Sequence, residues 1–249
     1  MQELPVIRLV DVSKAFGNKK VLAGVSLEVH RGELLALLGA SGSGKSVTLK
    51  TINGLIAPDS GLVEVLGSPV SEMREHELVQ VRRRVSYLFQ GGALFDSMNV
   101  FDNVAFPLRE HLDLDSDSLA ERVHALLTMV QLENATEMQP AELSGGMRKR
   151  VAVARALALD PEIILYDEPT TGLDPVTSRA IAELILDLDR RLNVTSVVVT
   201  HDIPLVTQVA ERVVFLDQGD FVFSGSVAAA QCGGTQTVRE FFNAGGGNA

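Results

Sequence analysis

Residues 33–46 read Glu-Leu-Leu-Ala-Leu-Leu-Gly-Ala-Ser-Gly-Ser-Gly-Lys-Ser, an apolar run of strand length that breaks into a glycine-rich turn ending in a lysine. Gly39, Ala40, Ser41, Gly42, Ser43, Gly44, Lys45 and Ser46 satisfy the pattern G-x-x-x-x-G-K-[ST], placed after a strand and ahead of helical periodicity over 43–56. The glycines let backbone N–H groups wrap phosphate oxygens, and the helix N-terminus adds its partial positive charge. Lys45 then reaches the β- and γ-phosphates, and the Ser46 hydroxyl suits Mg²⁺. This stretch predicts a parallel sheet with helices packed against it and a bound nucleotide phosphate at the end of a strand.

A second constellation lies further along, where Ile163-Ile164-Leu165-Tyr166 runs apolar into Asp167-Glu168. Adjacent residues at a strand end point in different directions. Asp167 can therefore support the Mg²⁺ shell while Glu168 faces a water, as general base or as the group that orients it. Three weaker features follow the same order. Gln90 ends the strand-like VSYLFQ and offers an amide oxygen to Mg²⁺ or to the water. Ser144-Gly145-Gly146 opens a helix, either as a further anion-binding N-terminus or as an ordinary cap. His201 ends TSVVVTH and can present an imidazole to a γ-phosphate.

Working outward, the N-terminal third alternates as short strands (IRLVDVS, VSLEVH, GLVEVLG), and a charged helix is expected over 72–84. From about 90 to 160 the period is mostly helical, as in LAERVHALLTMVQL. Continuous apolar runs EIILYDE, TSVVVTHD and RVVFLDQG then read as buried parallel strands, with helices at 176–192 and 203–210 between them. The Gly/Ala/Asn-rich end after Phe242 reads as loose. With 249 residues, the chain is long enough for one or two domains. The 46% hydrophobic composition is that of a globular protein, and no stretch of 18 apolar residues exists to span a bilayer. A secretory signal is not expected, because Glu3 stands where a basic segment should precede an apolar one. The single cysteine, Cys232, fits a reducing compartment. A net charge of -10 argues against general nucleic-acid binding, despite the local run Arg82-Arg83-Arg84.

These motifs, in this order, resemble those of the ATP-binding subunits of ABC transporters over nearly the whole chain. The resemblance implies a RecA-like α/β core of the P-loop NTPase kind with an antiparallel β subdomain and a helical subdomain. One nucleotide-binding domain would span 1–249, its core at about 1–89 and 161–243, its helical part at about 90–160, and a flexible tail at 244–249. It implies ATP and Mg²⁺ as cofactors, with Ser46, Gln90 and Asp167 around the metal and Glu168, His201 and Lys45 catalytic. Phe16 would stack on adenine, and Asp174 would sit in the D-loop. Ser144, Gly145 and Gly146 form the signature, which acts in trans: two copies meet head to tail, each capping the other's ATP.

Phe89-Gln90-Gly91-Gly92-Ala93-Leu94-Phe95 and the following Met98 to Glu110 narrow the resemblance to the ATPases of bacterial Mla-type systems, which move phospholipid between membranes with an MCE-domain protein. Met147, where many family members carry Gln, is ordinary in that subgroup. The partners so implied are an integral-membrane permease docking near Gly91–Leu108, an MCE-domain lipid-binding protein and a small regulatory subunit, with no nucleic acid. The implied location is the cytoplasmic face of the bacterial inner membrane. The competing readings are an importer ATPase for a polar solute such as an amino acid, and a DNA-associated ABC ATPase. The second would require a long coiled-coil insertion before the signature, and no sustained heptads occur there.

Overall fold

The computed structural model describes residues 4–246. Two sheets form. The smaller is antiparallel in the order β2-β1-β4-β5, built from β1 (Ile7–Phe16), β2 (Lys19–Val29), β4 (Ser60–Val65) and the short β5 (Ser68–Pro69). The larger has the order β10-β9-β3-β8-β7-β6, from β3 (Leu34–Leu38), β6 (Val85–Leu88), β7 (Ile163–Asp167), β8 (Thr195–Val199), β9 (Arg212–Asp217) and β10 (Asp220–Gly225). Its strands run parallel except β10, which closes one edge as an antiparallel hairpin on β9.

Every residue of β3, β7 and β8 is buried, as expected for parallel strands covered on both faces. The period of two sends their side chains into different clusters. Leu35, Leu37, Ile163, Leu165, Val197 and Val199 pack toward the antiparallel sheet and α1 (Lys45–Ile52). From the opposite face Leu34, Ile164, Tyr166 and Val198 join a cluster with α3 (Val100–His111), α4 (Ser116–Met129), α5 (Gly145–Leu157) and α6 (Pro175–Leu192). A third cluster places Phe215 and Leu38 under α7 (Ile203–Val209) and α9 (Gln236–Gly246). The Ala23 amide donates to the Gly219 carbonyl at 2.9 Å and ties the two sheets together.

Side-chain caps set most helix starts. Asn99, Asp115, Ser144, Asp174 and Asp202 each accept a backbone N–H of the first turn of α3, α4, α5, α6 and α7. The helix expected over 43–56 is shorter, because Gly44 with φ 115 caps it and Asn53 ends it. The charged segment forms α2 (Glu75–Arg82), whose Arg82 is engaged by Glu75 and the carbonyls of Asn53 and Gly54. The helical stretch expected from 90 begins only at Val100, since the glycine pair at 91 and 92 opens an irregular segment. The end expected to be loose from 244 is helical as far as Gly246, and 247–249 lie outside the described residues.

Candidate functional site

In a parallel sheet the carboxyl ends of the strands share one edge, and the loops leaving them converge. Here β3 runs into the Gly39 loop, β6 into Gln90, β7 into Asp167-Glu168 and β8 toward His201. An open cleft of about 700 Å³ lies against this edge, lined by the Gly39–Gly44 turn, Lys45, Ser46, Gln90, Glu168 and His201. Phe16 stands half-exposed at its border, and Phe241 of α9 contributes from the other side.

The turn depends on glycine at particular points. Gly39 has φ 151, and a Cβ there would lie 2.3 Å from the Leu216 carbonyl oxygen. Gly42 has φ 76 with no atom near its missing side chain, so its backbone faces open space at the cleft. Lys45 is buried and donates to the carbonyls of Gly39 (2.9 Å) and Ala40 (3.1 Å). Its ammonium also stands 4.0 Å from Glu168 Oε1. Burial lowers its pKa, and the neighbouring Glu168 and Asp167 charges oppose that shift.

The two carboxylates diverge. Asp167 accepts from the Ser46 hydroxyl on Oδ1 (2.7 Å) and from the Tyr87 hydroxyl on Oδ2 (2.7 Å). Burial and the Asp167 carboxylate together push the Tyr87 phenol far above its ordinary pKa, so it remains a donor. Glu168 turns the other way, with its backbone in the left-handed region at φ 50. His201 Nδ1 lies 3.0 Å from Oε1 and 2.9 Å from Oε2, and the Thr171 hydroxyl donates to Oε2 at 3.1 Å. The Glu168 carbonyl accepts from the Thr171 amide (3.3 Å), and its own amide donates to Val199.

Ser144, Gly145, Gly146 and Asp174 do not line this cleft. The Ser144 hydroxyl accepts from the Met147 amide, and a Cβ on Gly146 would fall 2.5 Å from Thr177 Cγ2. The start of α5 is thus set closely against the start of α6. Asp174 caps α6 through Val176 and Thr177, and these hydrogen bonds, that to the Thr177 side chain first, hold its pKa below the usual carboxylate range.

The residues present fit a nucleotide and a divalent cation. A hydroxyl and a carboxylate, Ser46 and Asp167, already meet as hard oxygen donors beside the turn. No group of three His, Cys, Asp or Glu side chains suited to a metal occurs among the described residues. A cation here would take its remaining oxygens from phosphate and water, as Mg²⁺ does. Sequence reasoning missed Tyr87, Thr171 and Lys149. Lys149 on α5 is buried and donates to the carbonyls of Gln90 and Glu168. Its sole signal was a lysine one turn behind a glycine-rich helix start.

Residues 22–171 match the family described as ABC transporter. The chain is 44% identical over 238 residues to the intermembrane phospholipid transport system ATP-binding protein MlaF of Escherichia coli (strain K12), covering 96% of this chain and 88% of that protein. It is 41% identical to the methionine import ATP-binding protein MetN of Rhizobium etli, over 89% of this chain and 61% of that one. Among solved structures, a dimeric post-hydrolysis state of an ATP-binding cassette bound to ADP and Pi matches with a TM-score of 0.82 at 33% identity, over 89% of this chain and 98% of that one. With that family covering both the glycine turn and the paired carboxylates, the chain belongs to the ABC transporters and is an ATPase coupled to transport.

Proposed function

We propose that this chain energises phospholipid transport between bacterial membranes by binding and hydrolysing ATP. The observation that carries the chemistry is the setting of Glu168, which His201 and Thr171 hold by its carboxylate 4.0 Å from the Lys45 ammonium at the cleft. The observation that carries the substrate is similarity to the phospholipid transport protein over 96% of the chain.

In this reading the Gly39–Gly44 amides and Lys45 bind the phosphates, and Phe16 stacks on the adenine. Ser46, Asp167 and the Gln90 side chain hold Mg²⁺, which neutralises charge on the phosphate oxygens when bound. Tyr87 fixes the orientation of Asp167, leaving the Ser46 side of that carboxylate toward the cleft. Glu168 orients the attacking water, and His201 keeps the Glu168 carboxylate in place while facing the γ-phosphate. Ser144, Gly145 and Gly146 lie outside the chain's own cleft and cap the nucleotide of a second, head-to-tail copy, with Asp174 near the junction.

Among the described residues no helix is long and apolar enough to cross a membrane. The permease docks along Gly91–Leu108, on the side of Phe89 and Phe95, whose rings are exposed. In this reading the subunit works on the cytoplasmic face of the inner membrane, with an MCE-domain protein and a small regulatory subunit as further partners.

Glu168→Gln tests the chemistry. ATP affinity should stay within a few-fold while turnover in the assembled transporter falls by about 100-fold or more. Near wild-type turnover would remove Glu168 from its role. Reconstitution in vesicles with labelled phospholipid tests the substrate, with ATP-dependent transfer as the expected result. Efficient uptake of methionine or another polar solute without lipid transfer would favour the importer reading.

A further inference from the structure

Lys149 sits on α5, one helical turn and a half beyond Ser144, or roughly 7 Å along the axis at 1.5 Å per residue. It is 6% exposed. A buried ammonium requires acceptors, and this one has two main-chain carbonyls on two different loops. One belongs to Gln90, at the end of the strand leading into the 90–99 segment. The other, at 3.4 Å, belongs to Glu168. Glu168 O keeps the Thr171 amide as a second donor, whereas Gln90 O has no other donor among the described residues.

Burial depresses the ammonium pKa, and the charges of Glu168 and Asp167 counter it, so the cation is held by the carboxylates it lies behind. Because Glu168 is the left-handed residue that turns its carboxylate toward the cleft, a donor on its carbonyl bears on where that carboxylate points. The helix that opens with Ser144-Gly145-Gly146 is therefore tied, by one side chain, to the backbone of the residue facing the chain's own cleft.

We propose that Lys149 is a positioning residue that couples the two nucleotide sites of a dimer. Engagement of Ser144–Gly146 with the partner's nucleotide moves α5, and Lys149 carries that movement to Glu168 and Gln90 of the same chain. Hydrolysis at a chain's own nucleotide is then licensed by its capping of the partner's. The inference rests on the two-copy reading above.

The test pairs differently tagged full-length chains and follows single-turnover ATP cleavage. The reference heterodimer combines wild type with Glu168→Gln, leaving one competent site. Placing Lys149→Met in the wild-type chain removes the ammonium behind the working Glu168, and cleavage should slow by about tenfold with ATP affinity within about twofold. Placing Lys149→Met in the Glu168→Gln chain instead removes it behind the signature that caps the working site, and cleavage should match the reference. Loss in the second arrangement as large as in the first would show Lys149 acting equally through the signature that caps the partner's nucleotide, and would overturn the proposal. So would no loss in the first. Lys149→Arg, which keeps a cation in the slot, should recover part of the rate, and it replaces Lys149→Met in both arrangements if the latter does not fold. A reference that cleaves no ATP while wild type turns over shows that cleavage at one site needs the Glu168 of both, and overturns licensing by capping alone. Wild type without turnover refutes the ATPase reading instead.

Discussion

Asn103 lies on the buried face of α3, between Val100 and Val104, with no exposed surface. Its side-chain amide pins the irregular segment that follows Gln90. Oδ1 accepts from the Phe95 amide (2.9 Å) and from Arg155 Nη1 (3.3 Å), while Nδ2 faces the carbonyls of Phe95 (3.1 Å), Met98 (3.0 Å) and Asn99 (3.0 Å). The Asn99 carbonyl already accepts the Asn103 backbone amide, so removing the side chain costs it little. The Phe95 carbonyl likewise keeps the Met98 amide (3.1 Å), so the Phe95 N–H and Met98 O carry the loss. At about 0.5–1.5 kcal/mol for each of these two net hydrogen bonds, Asn103→Ala should destabilise by roughly 1–3 kcal/mol. In a chain of this size that corresponds to a fall in Tm of roughly 2–12 °C. Asn103→Asp should do no better at neutral pH, since a carboxylate oxygen would replace the NH₂ that now faces three carbonyls. The assay is thermal melting joined to amide hydrogen exchange. The Phe95 amide should exchange much faster in Asn103→Ala, with protection at Val197 in the central sheet affected only through global stability. A melting temperature within 1 °C of wild type and unchanged Phe95 protection would refute the reasoning.

Other expectations follow from the same geometry. Lys45→Ala should abolish turnover by removing a buried cation from the phosphate turn, and mixing it with Ser144→Arg should restore part of the activity, because one of the two composite sites is then intact; no recovery in a proven heterodimer would count against sharing. Phe95→Glu should release the subunit from its membrane complex with little change in Tm, since the ring is 40% exposed, whereas Phe101→Glu should lower Tm, since that ring packs on the core; equal melting of the two would refute the distinction. Asp189 is buried, and desolvation raises its carboxyl pKa despite the hydrogen bond from Ser196. Its stability contribution is therefore complete below the ordinary carboxylate pKa and lost as pH rises through the raised value. Asp189→Asn, which keeps the acceptor, should melt higher than wild type at pH 7 with the gap closing toward pH 4; a gap independent of pH would refute this.

The strands and the glycine turn were legible because they are local. LLALL, IILYD and TSVVV announce buried parallel strands by being apolar on both faces, and Gly39–Ser46 announces its turn by spacing alone. β10 escaped notice because it is an edge strand alternating exposed and half-buried residues, with nothing to mark it off from a loop. The supports of the site were hidden for a different reason. Tyr87 reaches Asp167 across 80 positions and Lys149 reaches Gln90 across 59, contacts that exist only once the sheet has assembled. Asn103 carried a faint signal, a polar residue on the apolar stripe of α3, whose meaning depended on the unpaired backbone at Phe95 that it satisfies.

The strand order has a consequence for how the chain comes into being. β3, which delivers the phosphate turn, is flanked by β8 and β9, so its partners are made about 160 residues after it. At roughly 5–20 residues per second, a newly emerged LLALL waits on the order of ten to thirty seconds with both edges unpaired. β1, β2 and β4 can pair within the first 65 residues and shelter one side of it, since Leu35 and Leu37 join their cluster. The other face stays open until the last third of the chain is synthesised, which makes the nascent chain a natural client for chaperones and leaves it unable to hold nucleotide until it is nearly complete.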